Sequence, residues 1–96
     1  MKLGDTIKRL RKESSIPQKE FAQRCGITNT YLSLIENNRR PPGPKLLQRI
    51  AENLEVPVPI IYFLSIENED IPDSKKESFK ILGAPIKAMV EKLFTS

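Results

Sequence analysis

Gln18-Lys19-Glu20-Phe21-Ala22-Gln23-Arg24-Cys25-Gly26-Ile27-Thr28-Asn29-Thr30-Tyr31-Leu32-Ser33-Leu34-Ile35-Glu36-Asn37 is the stretch on which the fold turns. Pro17 opens a short helix over residues 18–25, with Phe21, Ala22 and Cys25 along its buried edge. Gly26 stops that helix, because glycine enters the left-handed region without a Cβ penalty. Thr28 suits the N-cap of a next helix running through Asn37, with Leu32 and Ile35 facing inward. Two helices that cross tightly need a small side chain near the crossing, here Ala22, and a positive φ four residues later, here Gly26. Phe21, Cys25, Ile27, Leu32 and Ile35 supply the apolar contacts that lock the angle. In this order and spacing they define a helix-turn-helix.

The pattern extends in both directions. Leu3, Ile7 and Leu10 fall at helical spacing, with Lys8, Arg9, Arg11 and Lys12 mostly on the other face, and this first helix ends near Ser14-Ser15. Residues 38–43, Asn-Arg-Arg-Pro-Pro-Gly, read as a loop. Pro44 fits the first position of a fourth helix, whose stripe is Leu46, Leu47, Ile50, Ala51 and Leu54. A fifth short helix covers Val58 to Leu64. Nothing reads as a strand or a repeat, so the expected fold is all-α: five helices over residues 1–64. Residues 65–73 are acidic, contain Pro72 and read as a linker. Ser74-Lys75-Lys76-Glu77 matches a capping box for a helix to about Leu82. Gly83 is expected to break it, and Pro85 to begin a last helix. In that helix Ile86, Met89, Val90, Leu93 and Phe94 recur at i, i+3, i+4, i+7 and i+8. Residues 74–96 therefore form a C-terminal helical segment whose apolar face needs a partner.

Composition narrows the chemistry. Ninety-six residues with 39% hydrophobic and 29% charged side chains suit one soluble domain with a short appendage. Cys25 is the single cysteine and there is no histidine, which removes disulfides, thiolate clusters, and the commonest metal ligand and general base. No cofactor or metal is expected and no enzyme; Glu67, Glu69 and Asp70 read as a solvated linker, not a carboxylate site. No stretch approaches the roughly 20 apolar residues of a membrane span. The first residues enter a helical pattern instead of a signal-peptide core, so the expected location is the cytoplasm. The net charge of +4 is unevenly placed. Through Arg49 there are eleven cations against four acids, and from Ile50 onward five against eight. A basic front half suits a polyanion.

Residues from about Leu3 to Leu64 resemble the XRE/Cro-type, lambda-repressor-like helix-turn-helix domain. The resemblance rests on Ile7-Lys8-Arg9-Leu10-Arg11, Gln18-Lys19-Glu20-Phe21-Ala22, Tyr31-Leu32-Ser33-Leu34-Ile35-Glu36-Asn37, Arg40-Pro41-Pro42 and Leu47-Gln48-Arg49-Ile50-Ala51. It implies a regulator of transcription, acting as a repressor on double-stranded DNA, with the third helix in the major groove. At 100° per residue Asn29, Thr30, Ser33, Leu34 and Asn37 line that helix's outward face. Asn29, Thr30, Ser33 and Leu34 are the expected base readers; Leu34 suits a thymine methyl, or is an incidental surface leucine. Expected phosphate contacts are Gln18, at the start of the second helix, with Tyr31, Asn38, Arg39, Arg40 and Lys45. Tyr31 is equally suited to partial core packing. The resemblance also implies a partly buried salt bridge between Arg11 and Glu36, structural in role. Three positions depart from the family pattern: Pro17 stands where Ser or Thr usually caps, and Ser15 and Asn38 where glycine is common.

One such domain reaches one half-site, so a homodimer on a palindromic operator is expected. Ile86, Met89, Val90, Leu93 and Phe94 are its expected interface. Two alternatives stand beside it. The stripe folds back on Val58, Ile61 or Tyr62 of the same chain, or the C-terminal helices hold a protein partner, as in an antitoxin that also regulates its own operator.

Overall fold

In a computed structural model, which describes residues 1–95, four helices in succession end in the same way. These are α1 (Leu3–Glu13), α2 (Gln18–Cys25), α3 (Asn29–Glu36) and α4 (Pro44–Leu54). Each is followed by a residue at positive φ: Ser15 at 58°, Gly26 at 72°, Asn38 at 59° and Glu55 at 58°. In each case that residue's N–H donates three residues back, and the next N–H donates five residues back. Ile27 N to Ala22 O is 3.0 Å and Val56 N to Ala51 O is 3.1 Å. This is the Schellman arrangement, which satisfies carbonyls that a helix end otherwise leaves open. Only α2 uses glycine for it.

The starts are capped less uniformly. Thr28 Oγ1 accepts from Tyr31 N at 3.0 Å, and Pro44 occupies the first turn of α4. For α1 the cap comes from another helix's end: Asn38 Oδ1 accepts from Gly4 N at 2.8 Å, and Asn38 Nδ2 donates to Asp5 Oδ1 at 2.6 Å. Gly4 makes this approach possible, since a Cβ there would lie 2.1 Å from the Ile35 carbonyl oxygen.

The apolar stripes of these helices and of α5 (Val58–Leu64) converge on one core. Ile7, Leu10, Phe21, Ala22, Cys25, Leu32 and Ile35 are buried, as are Leu46, Leu47, Ile50, Ala51 and Leu54 from α4. Val56, Ile61 and Leu64 complete it. Burial pushes the Cys25 thiol up to about 11, so it is a core side chain with little thiolate character. No strand occurs among the described residues. No described helix is long and apolar enough to cross a membrane.

Beyond Leu64 the structure departs from the sequence reading in four ways. Residues 65–73 hold short 3-10 turns at Asn68–Asp70 and Asp73–Lys75, and they are tied to α1. Ser65 is buried; its hydroxyl donates to the Ile61 carbonyl at 2.7 Å and lies 2.8 Å from Thr6 Oγ1. The Met1 ammonium pairs with Asp70 at 2.9 Å. Ser74 and Glu77 form no capping box; the reciprocal cap in this region is between Glu67 and Asp70.

Gly83 does not break the helix. α6 (Lys76–Ser78), a π-helical turn (Phe79–Gly83) and α7 (Ala84–Thr95) run on without interruption. The Phe79 ring occupies the space a Gly83 side chain would need, 2.4 Å from a Cβ built there. The wide turn also prepares for Pro85, whose ring in a regular α-helix would strike the carbonyl four residues back. Ser96, at the end of the expected 74–96 segment, lies outside the described residues.

The expected single stripe on α7 is divided between two faces. Val90 and Phe94 pack against the core, Arg9 and Glu91 join α1 to α7, and Lys87 Nζ donates to the Ile66 carbonyl at 2.7 Å. Ile86, Met89 and Leu93 stay 52%, 71% and 75% exposed, and Ile81 and Leu82 on the preceding π-helical turn are exposed as well. Residues 87, 90, 91 and 94 share one side of the helix, and 82, 86, 89 and 93 another about 120° away.

Candidate nucleic-acid interface

The orientation of α3 is set from beneath by a buried polar network. Arg11 Nε donates to Glu36 Oε2 at 2.6 Å and Arg11 Nη2 to Glu36 Oε1 at 3.1 Å. Arg11 Nη1 also holds the Ile16 carbonyl at 2.8 Å, and Gln18 Nε2 donates to Glu36 Oε1 at 3.1 Å. One carboxylate thus ties α1, the turn before α2, α2 and α3 together. A two-pronged pair in this setting fixes geometry more than it adds stability. No buried side-chain nitrogen or oxygen among the described residues is left without a partner.

With Leu32, Ile35 and Glu36 turned inward, the opposite edge of α3 faces solvent. Asn29, Thr30 and Asn37 are exposed; Ser33 and Leu34 are half-buried. Leu34 is therefore no fully exposed apolar side chain, and its carbonyl accepts from Arg39 N at 2.9 Å. Asn37 Nδ2 lies 3.3 Å from Ser33 Oγ, a loose contact along the same edge.

The expected phosphate contacts divide into two groups. Arg39, Arg40 and Lys45 are exposed around the C-terminal end of α3 and the start of α4, and none forms a salt bridge among the described residues. The Arg40 guanidinium lies over the Tyr31 ring, 5.3 Å from its centroid, which holds this cation beside α3. Tyr31 is half-buried against the core, so its ring packs and its edge remains accessible. Gln18 and Asn38 are different, because their amides are engaged with Glu36 and with the start of α1. The Gln18 and Asn38 side chains are thus structural here; at α2 the first-turn N–H groups have no side-chain cap. Sequence reasoning passed over Arg49. It lines a cleft of about 540 Å³ with Ile27, Tyr31, Gly43, Lys45 and Leu46, adding a cation near the recognition edge. The signal for it was weak, since Arg49 sits among the α4 core residues in sequence and shows its exposed side only in three dimensions.

The arrangement is a short helix with a polar edge, flanked by exposed cations that form no salt bridge among the described residues. Residues 7–61 match the family model described as helix-turn-helix, and the chain belongs to this family, of the XRE type of DNA-binding proteins. It is 41% identical over 66 residues to the ImmF control region 10 kDa protein of Bacillus phage phi105, covering 69% of this chain and 73% of that one. It is also similar to the HTH-type transcriptional regulator SinR of Bacillus subtilis, 35% identical over 57 residues, 58% of this chain and 51% of SinR. The immunity repressor protein of phage phi105 is 33% identical over 61 residues, covering 64% of this chain and 42% of the repressor. The match thus spans about half or less of the latter two.

Proposed function

We propose that the protein is a sequence-specific DNA-binding repressor that acts as a dimer on a palindromic operator in the cytoplasm. The observation that carries this reading is the exposed edge of α3, Asn29 and Thr30, bordered by Arg39, Arg40 and Lys45. Asn pairs its amide with adenine in the major groove and Thr contacts either a polar base edge or a thymine methyl. Ser33 and Leu34 continue the same edge, the latter toward a thymine methyl. The cations bind phosphate and set the register without reading sequence. The first-turn N–H groups of α2 add a phosphate site. The names of the relatives, a transcriptional regulator and an immunity repressor among them, support regulation of transcription.

The dimer rests on α7. Leu82, Ile86, Met89 and Leu93 recur at i, i+4, i+7 and i+11, the spacing of a helix seam that packs on a like seam. Val90 and Phe94, expected in that interface from sequence, hold α7 to its own domain instead. The division serves the proposal, because one face fixes the helix while the other meets a second copy.

Selection of binding sites from random duplex DNA tests the reading. We expect an enriched site made of two inverted half-sites about one helical turn apart. Enrichment of no sequence, or of a lone half-site bound as tightly as its palindrome, overturns it.

A further inference from the structure

Among the exposed cations around α3, Arg40 differs in how much of it is already fixed. Its N–H donates to the Leu34 carbonyl at 3.3 Å, beside the 2.9 Å bond from Arg39 N to the same oxygen. Pro41 follows it, and a proline steers the residue before it away from helical backbone. The Arg40 backbone is thus held against the end of α3. Its guanidinium, at the tip of a long flexible stem, lies over the Tyr31 ring, 5.3 Å from the centroid. The negative face of an aromatic ring attracts a cation so placed. Arg39 is also exposed and has no ring contact among the described residues.

The ring is itself anchored. Tyr31 N donates to Thr28 Oγ1 at 3.0 Å in the first turn of α3, and the half-buried ring packs against the core. Asn29 and Thr30, just before it in the chain, lie on the exposed edge of the same helix. One helix therefore carries the base-reading edge and fixes a cation beside it. A freely rotating arginine gives up rotamer freedom when it meets a phosphate, whereas one already held gives up less.

We propose that Tyr31 is a positioning residue for DNA binding: its ring holds the Arg40 guanidinium ready for a backbone phosphate. Tyr31 thus acts through Arg40, and not as the direct phosphate contact expected from the sequence. The inference rests on the DNA-binding reading above. Its contribution is independent of DNA sequence, because Arg40 meets the backbone and not a base.

Two measurements on the full chain separate this inference from the reading beneath it. In NMR spectra without DNA, the ring current should move the Arg40 side-chain protons upfield of those of Arg39. That shift should persist in Tyr31→Phe and vanish in Tyr31→Leu, which keeps an apolar side chain against the core. With DNA, Tyr31→Leu should bind a selected operator and a scrambled duplex about two- to fivefold more weakly, the scale of an exposed cation–π contact. Tyr31→Phe should restore the affinity. In an Arg40→Ala background Tyr31→Leu should add no further loss, and in an Arg39→Ala background it should keep its full effect. An absent upfield shift overturns the proposal and leaves the DNA-binding reading standing. So does a Tyr31→Phe protein as weak as Tyr31→Leu, a loss confined to the operator, or a full loss that persists in Arg40→Ala. If the shift is present but Arg40→Ala leaves DNA affinity unchanged, the phosphate role of Arg40 fails and the proposal fails with it.

Discussion

Gly4 shows how much of the architecture depends on a single missing methyl. A Cβ there would meet backbone oxygen at 2.1 Å, and backbone cannot swing aside as a long side chain does. Gly4→Ala should therefore cost about 1–3 kcal/mol, the usual range for overpacking, seen as a lower urea midpoint. Gly43→Ala, with nothing within 4 Å of its Cβ, is the control and should cost little. At Glu36 the burden is charge. Glu36→Leu leaves the Arg11 guanidinium buried without its partner and should cost about 3–5 kcal/mol in the same measurement. Residue-level chemistry was only partly legible in the sequence. The Arg11–Glu36 bridge followed from family likeness, and Thr28 as a cap from its place before an apolar run. Gly4 and Asn38 were not legible, because their contact joins residues 34 apart and no local pattern encodes it.

Helix ends and the last helix are where elements carry the argument. Ser15 sits at φ 58° in an exposed Schellman turn, a conformation that costs an L-residue about 1–2 kcal/mol and glycine almost nothing. Ser15→Gly should raise stability by about 0.5–1 kcal/mol once glycine's extra chain entropy is subtracted, read from thermal or urea unfolding. The attachment of α7 has its own pH dependence. The Arg9 guanidinium holds the Glu91 carboxyl below the usual carboxylate range, so this contact stabilises the fold above that range. Its contribution falls away as pH drops through the lowered value and Glu91 protonates. Glu13 runs the other way: burial first, and then the Glu91 charge, raise its carboxyl, so acid relieves these penalties and offsets part of the loss. Hydrogen exchange of the Val90 and Phe94 amides should speed up in acid, relative to the α4 core, in the natural protein. In Arg9→Ala it should already be fast at neutral pH; unchanged protection there would contradict the role given to the Arg9–Glu91 contact. The sequence made the five helices of the domain legible because their apolar period is uninterrupted and their C-terminal turns are closed by hydrogen bonds within a few residues. It misplaced the break at Gly83, since glycine can serve packing of a neighbouring ring as readily as a turn.

On the scale of the whole molecule, α7 keeps one face for its own domain and leaves another open. If the open face pairs two copies, Met89→Glu with Leu93→Glu should convert a dimer into a monomer on sedimentation without loss of helix content. The cost on DNA should appear as weaker binding to a palindrome and little change on a half-site. Binding should also fall linearly in log K against log salt, with a slope of about −0.9 per phosphate contact. Arg40→Ala should flatten that slope by about one contact on every sequence alike. The two-faced character of α7 could not be read from its sequence. Five apolar residues at i, i+3, i+4, i+7 and i+8 look like one stripe until the position of α1 and α5 decides which of them are covered.

The most direct test of the central claim is a comparison of affinities for a selected operator and for a scrambled duplex at one salt concentration. The proteins compared are the natural chain, Asn29→Ala and Thr30→Ala. Both side chains are exposed and neither carries the core, so folding should be unaffected. If α3 reads bases, each substitution should cost about 1–3 kcal/mol on the operator and almost nothing on the scrambled duplex. Equal losses on the two DNAs, or no loss on either, would show that α3 is not the recognition element.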